Sequence, residues 1–377
     1  MWGTEWHSID RRDARSPRPT TADCNMNDTN TLLIVGPKGT GGIDRYITEQ
    51  RRYLADRMPV RLYTRYTAPK GDGLERATRM VLSSLYAVLL FPFQPRPDIV
   101  HVHSSHTYSF YRSAFFVLFS AYVWRVPVVL HIHGSSFDEF LATDSRLVRL
   151  LQSVVFDTVD DVIVLSEYWR TLVSELAGEE KVHVMANAVD PTDYDPTYPT
   201  DPVHLVFVSN LIERKGISEF LDAVEALADR PDLSFEVSIG GRGPFSDRAE
   251  SVAATHDNVS YLGFISETEK QALISRGTVF VLPTYAEGLP IAMLEGMAGG
   301  NAIVSTPVGS IPEVITDDRG VLVTPGDADE LTGALARLVS APDEAVELGR
   351  TNRALIEDRY SWQSNADNLV AMYADAK

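Results

Sequence analysis

Two glutamates with seven residues between them, Glu287 and Glu295, frame the stretch PTYAEGLPIAMLEGMA from Pro283 to Ala298. The run before it, TVFVLP, is short, β-branched and apolar, the composition of a buried parallel strand. A polar loop with Gly288 and Pro290 follows, and then IAMLEGMA, whose apolar spacing is helical. A strand, a loop and a helix start in that order leave first-turn N–H groups without intrahelical partners and partly positive, which suits a phosphate. A carboxylate beside a phosphate is repulsive, so the glutamates are better read as acceptors for sugar hydroxyls next to the phosphates. A ligand that carries both, a nucleotide sugar, is the first expectation.

Other residues of the right chemistry sit at strand ends. Arg214 and Lys215 precede a helix in VSNLIERKGISEFLDAVEAL. They either neutralise a pyrophosphate or are merely solvated. In VPVVLHIHGSSFDEF the strand period of two puts His131 and His133 on one face, and Gly134 opens the turn where ligands of doubly wound sheets collect. That pair is open to three readings: metal ligands, satisfied structural histidines, or a contact to the transferred sugar. His101 and His103 repeat the pattern in an earlier strand and read as structural. Gly39, Gly41 and Gly42 follow the first strand and allow close backbone approach to a ligand before a helix starting near Ile43, without completing a G-x-G-x-x-G fingerprint.

With GLP after Glu287 and LE-G-MA around Glu295, this region resembles the E-x7-E element of the retaining GT-B glycosyltransferases of family 4, and the resemblance runs from about Thr31 to the C-terminus. It implies an α/β fold of the GT-B type, two Rossmann-like doubly wound domains facing across a cleft, the first for the acceptor and the second for the NDP-sugar. It further implies that His133 reaches the transferred sugar, that Lys215 meets the donor phosphates, that Glu287 holds sugar hydroxyls and that Glu295 binds the ribose. Gly41, Gly42, Gly288, Leu289 and Pro290 would line the donor site, with the backbone near Phe264 and Ile265 at the nucleobase. The family needs no metal and no cofactor beyond the nucleotide sugar as co-substrate, and it retains anomeric configuration. Two departures stand out. Asn210 replaces an expected arginine, so either Arg214 compensates or the clamp carries one charge fewer. In NAVD, Asn187 to Asp190, Ala188 replaces the glycine of N-G-V-D. The alternatives are an NDP-sugar epimerase of the same architecture and a non-catalytic partner of another glycosyltransferase.

These residues need two scaffolds to hold them. Strands and helices alternate from Thr31, giving a first domain over 31–190 and a second over 203–351. Between them, residues 191–202 are rich in Pro and Asp and read as a linker. Residues 352–377 read as a helix packing back on the first domain. Residues 1–30 are polar and read as a disordered extension, or as an over-extended start before Met26, with no apolar core of a signal peptide. Two apolar segments, RMVLSSLYAVLLFPF and HTYSFYRSAFFVLFSAYVW, fall short of the roughly 20 residues that cross a bilayer. They are either buried helices or an interfacial surface that docks on a membrane to meet a lipid-linked acceptor, with Arg76, Arg79, Arg112 and Arg125 against anionic head groups.

Composition narrows the classes further. The 377 residues carry a net charge of −18 with a pI near 4.9, which argues against a nucleic-acid partner. The single cysteine, Cys24, excludes an internal disulfide and fits a reducing cytoplasm, at the inner membrane face if the apolar segments dock there. Lysine is scarce, 6 against 28 arginines, beside 52 acidic residues. Such a balance fits either a salt-loving cytoplasm, where stability rises with KCl, or a merely acidic bacterial enzyme. No G-x-S-x-G, H-E-x-x-H or Walker A sequence is present.

Overall fold

The computed structural model describes residues 30–39, 41–64, 73–135 and 137–376, with backbone only at 73–77. The expected N-terminal extension lies outside the described residues up to Thr29. Six strands form the first sheet: β1 (Leu32–Val35), β2 (Val60–Tyr63), β3 (Ile99–Ser104), β4 (Val128–Ile132), β5 (Asp161–Val164) and β6 (Val182–Val184), in the order β2-β1-β3-β4-β5-β6. Six more form the second: β7 (Val203–Val208), β8 (Phe235–Gly240), β9 (Val259–Gly263), β10 (Val279–Leu282), β11 (Ala302–Ser305) and β12 (Gly320–Leu322), in the order β12-β11-β10-β7-β8-β9. Neighbouring strands run parallel throughout. Segments such as LLIV and VFVL are buried at every position, because helices cover both faces and leave no solvated side. In each sheet the order reverses, beside β1 and beside β7, and it is at the C-terminal ends near such points that ligand crevices open.

On one face of the first sheet, the helices Gly42–Leu54 and Trp362–Asp375 cover Leu32, Ile34, Ile99, Val129 and Ile163. The opposite face carries an aromatic core that includes Phe91, Phe110, Phe116 and Phe156. The C-terminal crossover comes later than the sequence indicates. Position 352 lies inside the helix Pro342–Arg359, and the chain changes domain only where Ser361 bridges to Val189. The reason is local: nothing at 351–352 breaks a helix, whereas Ser361 caps the next one by accepting from the Ser364 N–H.

Residues 191–202 are not a free tether. A short 3-10 turn, Pro191–Asp193, leads to buried Tyr194, and the N–H groups of Asp195 and Thr197 bond Ser275 Oγ and O at 3.1 and 3.0 Å. The two apolar segments form the helix Gly73–Leu90, the turn Phe91–Phe93, the helix Tyr108–Phe119 and a π-helical end Ser120–Trp124. Among the described residues no helix is long and apolar enough to cross a membrane. These segments have one buried face and one exposed face. Ala87, Phe91, Phe110 and Phe116 are buried, while Leu82, Leu85, Leu89 and Phe93 form an exposed stripe at helical spacing. Arg112 donates to Ser84 Oγ of the neighbouring helix at 3.4 Å and leans over the Tyr108 ring of its own helix. The Arg76 side chain lies outside the described residues.

Candidate active site

Gly216 brings the two cations to the carboxylate. It adopts φ +70°, and a Cβ there would stand 1.9 Å from the Pro283 carbonyl oxygen, so only glycine lets the turn Glu213–Lys215 seat against the end of β10. The Tyr285 N–H and the Thr284 hydroxyl then both donate to the Arg214 carbonyl at 2.9 Å. Lys215 Nζ bonds Glu287 Oε1, the Arg214 guanidinium lies 3.8 Å from the same oxygen, and Arg214 donates to the Ala286 carbonyl at 2.5 Å. Glu287 is 8% exposed, so its charge is held in a partly desolvated setting where both cations act strongly on it.

Beside this cluster the helix Ile291–Ala298 begins after Pro290 with no side-chain cap. Its first N–H groups and positive dipole end remain available to an anion. Gly42, at the N-terminus of the helix after β1, faces it: a Cβ on Gly42 would meet only Ile291 Cδ1, at 3.8 Å, while Gly41 has open space. Gly288 abuts the other domain, where an added Cβ would lie 3.3 Å from the His133 carbonyl oxygen. Leu289 accepts from Asn187 Nδ2 at 2.6 Å. The structure therefore gathers Lys215, Arg214, Glu287, Gly288, Leu289 and Pro290 opposite His133 and the glycines after β1.

Glu295 stands apart. It is 2% exposed and pairs with Lys270 at 3.0 Å and with Arg45 of the first domain at 2.5 Å. Glu267 completes the group, 2.5 Å from Arg45 and 2.8 Å from Lys270. Burial pushes the Glu267 carboxyl upward, but the two cations outweigh it and hold it below the usual range. The carboxylate implied for the ribose is thus already committed to an ionic clamp between domains. Sequence reasoning missed Arg45 and Lys270, since nothing in the order of residues joins them to Glu295.

Two further expected contacts follow strands β7 and β9 of the second sheet. Asn210 is exposed in the turn after β7, and Ile265 packs its Cδ1 near Gly240 at the end of β8. Exposed Phe264 has the Arg242 guanidinium 5.9 Å above its ring, a residue not singled out from sequence. Glu313 reaches across to the first domain. Its carboxylate accepts from the N–H groups of Glu167 and Tyr168 at 3.1 and 2.7 Å, capping a helix of the other domain. The Ser166 side chain makes no cap there; its Oγ accepts from Ser310 Oγ at 2.8 Å.

On the first-domain side, β3 and β4 place four histidines on one sheet face, with His103 beside His131 in register. The His131 and His133 rings stack at 3.9 Å, and His133 Nε2 lies 2.9 Å from His103 Nδ1. His101 Nε2 lies 3.3 Å from His131 Nδ1. Burial drives all four toward the neutral form, His101 and His133 to about 3 and the other two well below their ordinary value. His101, His103 and His131 offer three ring nitrogens within 4.8 Å of one another, a donor set that would suit a divalent transition metal. His101 and His103, read as structural, are part of the same network as His133.

Two parallel, doubly wound domains closing over a lysine–glutamate pair and a helix N-terminus define the GT-B class of glycosyltransferases. Residues 41–188 match the family described as "Glycosyl transferase 4-like domain", and residues 202–341 match "Glycosyl transferases group 1". The chain belongs to the group 1 glycosyltransferases. Its relatives include the MMP alpha-(1->4)-mannosyltransferase of Mycolicibacterium hassiacum, 29% identical over 67% of this chain and 60% of that protein. Another is the glycogen synthase of Mycobacterium tuberculosis, 26% identical over 75% of this chain and 70% of that protein. The chain thus spans between three fifths and about seven tenths of the length of these two relatives. Among solved structures, sucrose-phosphate synthase from Thermosynechococcus elongatus superposes with a TM-score of 0.73 at 18% identity, covering 92% of this chain and 98% of that one. Anabaena HepE in complex with UDP-glucose gives 0.69 at 16% identity, covering 92% and 100%. At these identities the likeness is one of fold.

Proposed function

We propose that the protein transfers a glycosyl group from a nucleotide-diphosphate sugar to a hydroxyl acceptor, with retention of anomeric configuration. The observation that carries this reading is the Lys215–Glu287 pair seated beside the uncapped N-terminus of Ile291–Ala298. As the glycosyl–oxygen bond breaks, negative charge grows on the leaving diphosphate. Lys215, Arg214 and the first-turn amides receive it, a preorganised stabilisation of about 3 to 4 kcal/mol for one well-placed donor. Glu287 accepts from sugar hydroxyls and supports the cationic carbon, and His133 positions the sugar. The departing phosphate oxygen takes the acceptor's proton, so no side chain serves as covalent nucleophile. Retention rests on the family resemblance. The relatives named above are transferases, which favours this reading over an epimerase or a silent partner.

The acceptor in this reading is a lipid-linked or surface glycan met at an anionic membrane. Its support is the exposed stripe Leu82, Leu85, Leu89 and Phe93, together with Leu147 and Leu150 on the helix Arg146–Thr158, both helices packing on Tyr108–Phe119. Exposed Arg79 and Arg125 lie on the same set of elements. The protein would then act in the cytoplasm at the inner membrane face.

The roles separate experimentally. Lys215→Ala lowers kcat/KM by about 10²- to 10³-fold and weakens binding of free NDP, whereas His133→Ala lowers turnover and spares NDP binding. Both are read by product release from candidate NDP-sugars, with and without membrane extract, and by calorimetric titration of NDP. Unchanged NDP affinity in Lys215→Ala refutes the phosphate assignment.

A further inference from the structure

His133 ends a buried chain of hydrogen bonds whose direction is set one domain layer away. Its Nε2 meets His103 Nδ1 at 2.9 Å, and His103 Nε2 meets Gln50 Oε1 at 2.9 Å. Gln50 Nε2 donates to the Tyr373 hydroxyl at 3.0 Å, and that hydroxyl lies 2.5 Å from His101 Nδ1. His101 Nε2 then reaches His131 Nδ1 at 3.3 Å. Gln50, His101, His103 and His131 are fully buried, and burial keeps the imidazoles neutral. A neutral imidazole donates once and accepts once, so every bond in the chain fixes the next.

The amide of Gln50 is the one group whose two ends differ. Its oxygen can only accept, so His103 must donate from Nε2 and accept at Nδ1. His133 must then donate from Nε2, which leaves its Nδ1 bare. In the other branch Tyr373 donates to His101 Nδ1, His101 donates to His131 Nδ1, and His131 is left with an N–H at Nε2. That nitrogen has no hydrogen-bond partner among the described residues, and its ring stands 5.0 Å from the Tyr46 ring at 82°. A near-perpendicular aromatic contact tolerates an N–H better than a lone pair. Turning the amide around would reverse every donor in the chain and put a lone pair there.

We propose that Gln50 is a positioning residue that, through His103, fixes His133 as a hydrogen-bond acceptor at Nδ1, so that the site selects a donor sugar presenting a free hydroxyl at that point. This rests on the transferase reading, in which His133 faces the transferred sugar. A sugar lacking that hydroxyl, or carrying fluorine in its place, leaves the imidazole lone pair unmatched and is discriminated against.

The test uses the full-length protein labelled with ¹⁵N in histidine. Long-range ¹H–¹⁵N correlation at neutral pH, assigned with His133→Asn, should show His133 protonated at Nε2 and bare at Nδ1. Gln50→Met offers His103 no acceptor and shifts His133 to a mixture of tautomers. In turnover, Gln50→Met should lower kcat/KM for the NDP-sugar about tenfold while NDP affinity stays within about twofold, and the parent should discriminate about tenfold or more against the deoxyfluoro donor. A proton on His133 Nδ1 in the parent, a tautomer indifferent to Gln50→Met, or a stoichiometric divalent metal held by the histidines overturns the proposal. Should NDP fail to bind the parent at all, the transferase reading fails, and the tautomer spectra still decide whether Gln50 governs His133.

Discussion

The two faces that meet over the cleft solve the same problem, holding polar side chains out of water, by opposite means. The second domain sets two buried carboxylates against cations: Glu287 against Lys215 and the more exposed Arg214, Glu295 against Lys270 and Arg45 of the first domain. The first domain buries four imidazoles and keeps them neutral. In the proposed transfer, the charged face would attract a diphosphate and stabilise its departure, and the neutral face would meet the sugar hydroxyls without adding a competing charge. The difference teaches that the proposed donor, with one anionic and one uncharged half, would be matched half by half across the domain boundary.

Acid should strain this contrast most. The folded-state pKa values of the histidines lie below the unfolded value of about 6.5, so their contribution is complete above that pH and is lost as pH falls from 6.5 toward 3. Between pH 7 and 5, each imidazole that must stay neutral withdraws about 2 kcal/mol, giving a loss of several kcal/mol for the cluster. Denaturant melts at the two pH values check this, and equal midpoints would remove the neutral cluster from the picture. A smaller effect is expected on the ionic side. Arg45→Ala leaves Glu295 with Lys270 alone, lowers stability by about 1 kcal/mol and loosens domain closure, seen as a larger radius of gyration by small-angle scattering. An unaltered radius would mean the clamp does not hold the domains. The smallest effect concerns the outer face of the first domain, where the double change Leu85→Asp and Leu89→Asp should reduce cosedimentation with anionic vesicles about tenfold and leave the fold intact. Equal sedimentation of parent and variant would remove the membrane from the proposal.

Much of the fold was legible in the order of residues. The short apolar runs became parallel strands, and the helix after Pro290 begins at Ile291 as its pattern indicates. Of the candidate site, Lys215 and Glu287 were legible because each lies in the loop after a strand, where a doubly wound fold aims its loops at the crevice. The later domain crossover at Ser361 was missed although its signals are local, an unbroken helix through 352 and the capping Ser361, because a helical pattern does not say which domain the helix packs on.

Sequence by itself determined which residues lie at strand ends, because periodicity and turn chemistry act over a few neighbours. Tertiary structure alone decided that Glu295 answers to Arg45, that Glu313 caps a helix of the other domain, and that Gln50 and Tyr373 govern the histidines. Those partners stand far apart along the chain. A buried charge or imidazole takes whichever partner packing delivers, and one-dimensional spacing carries no record of that choice.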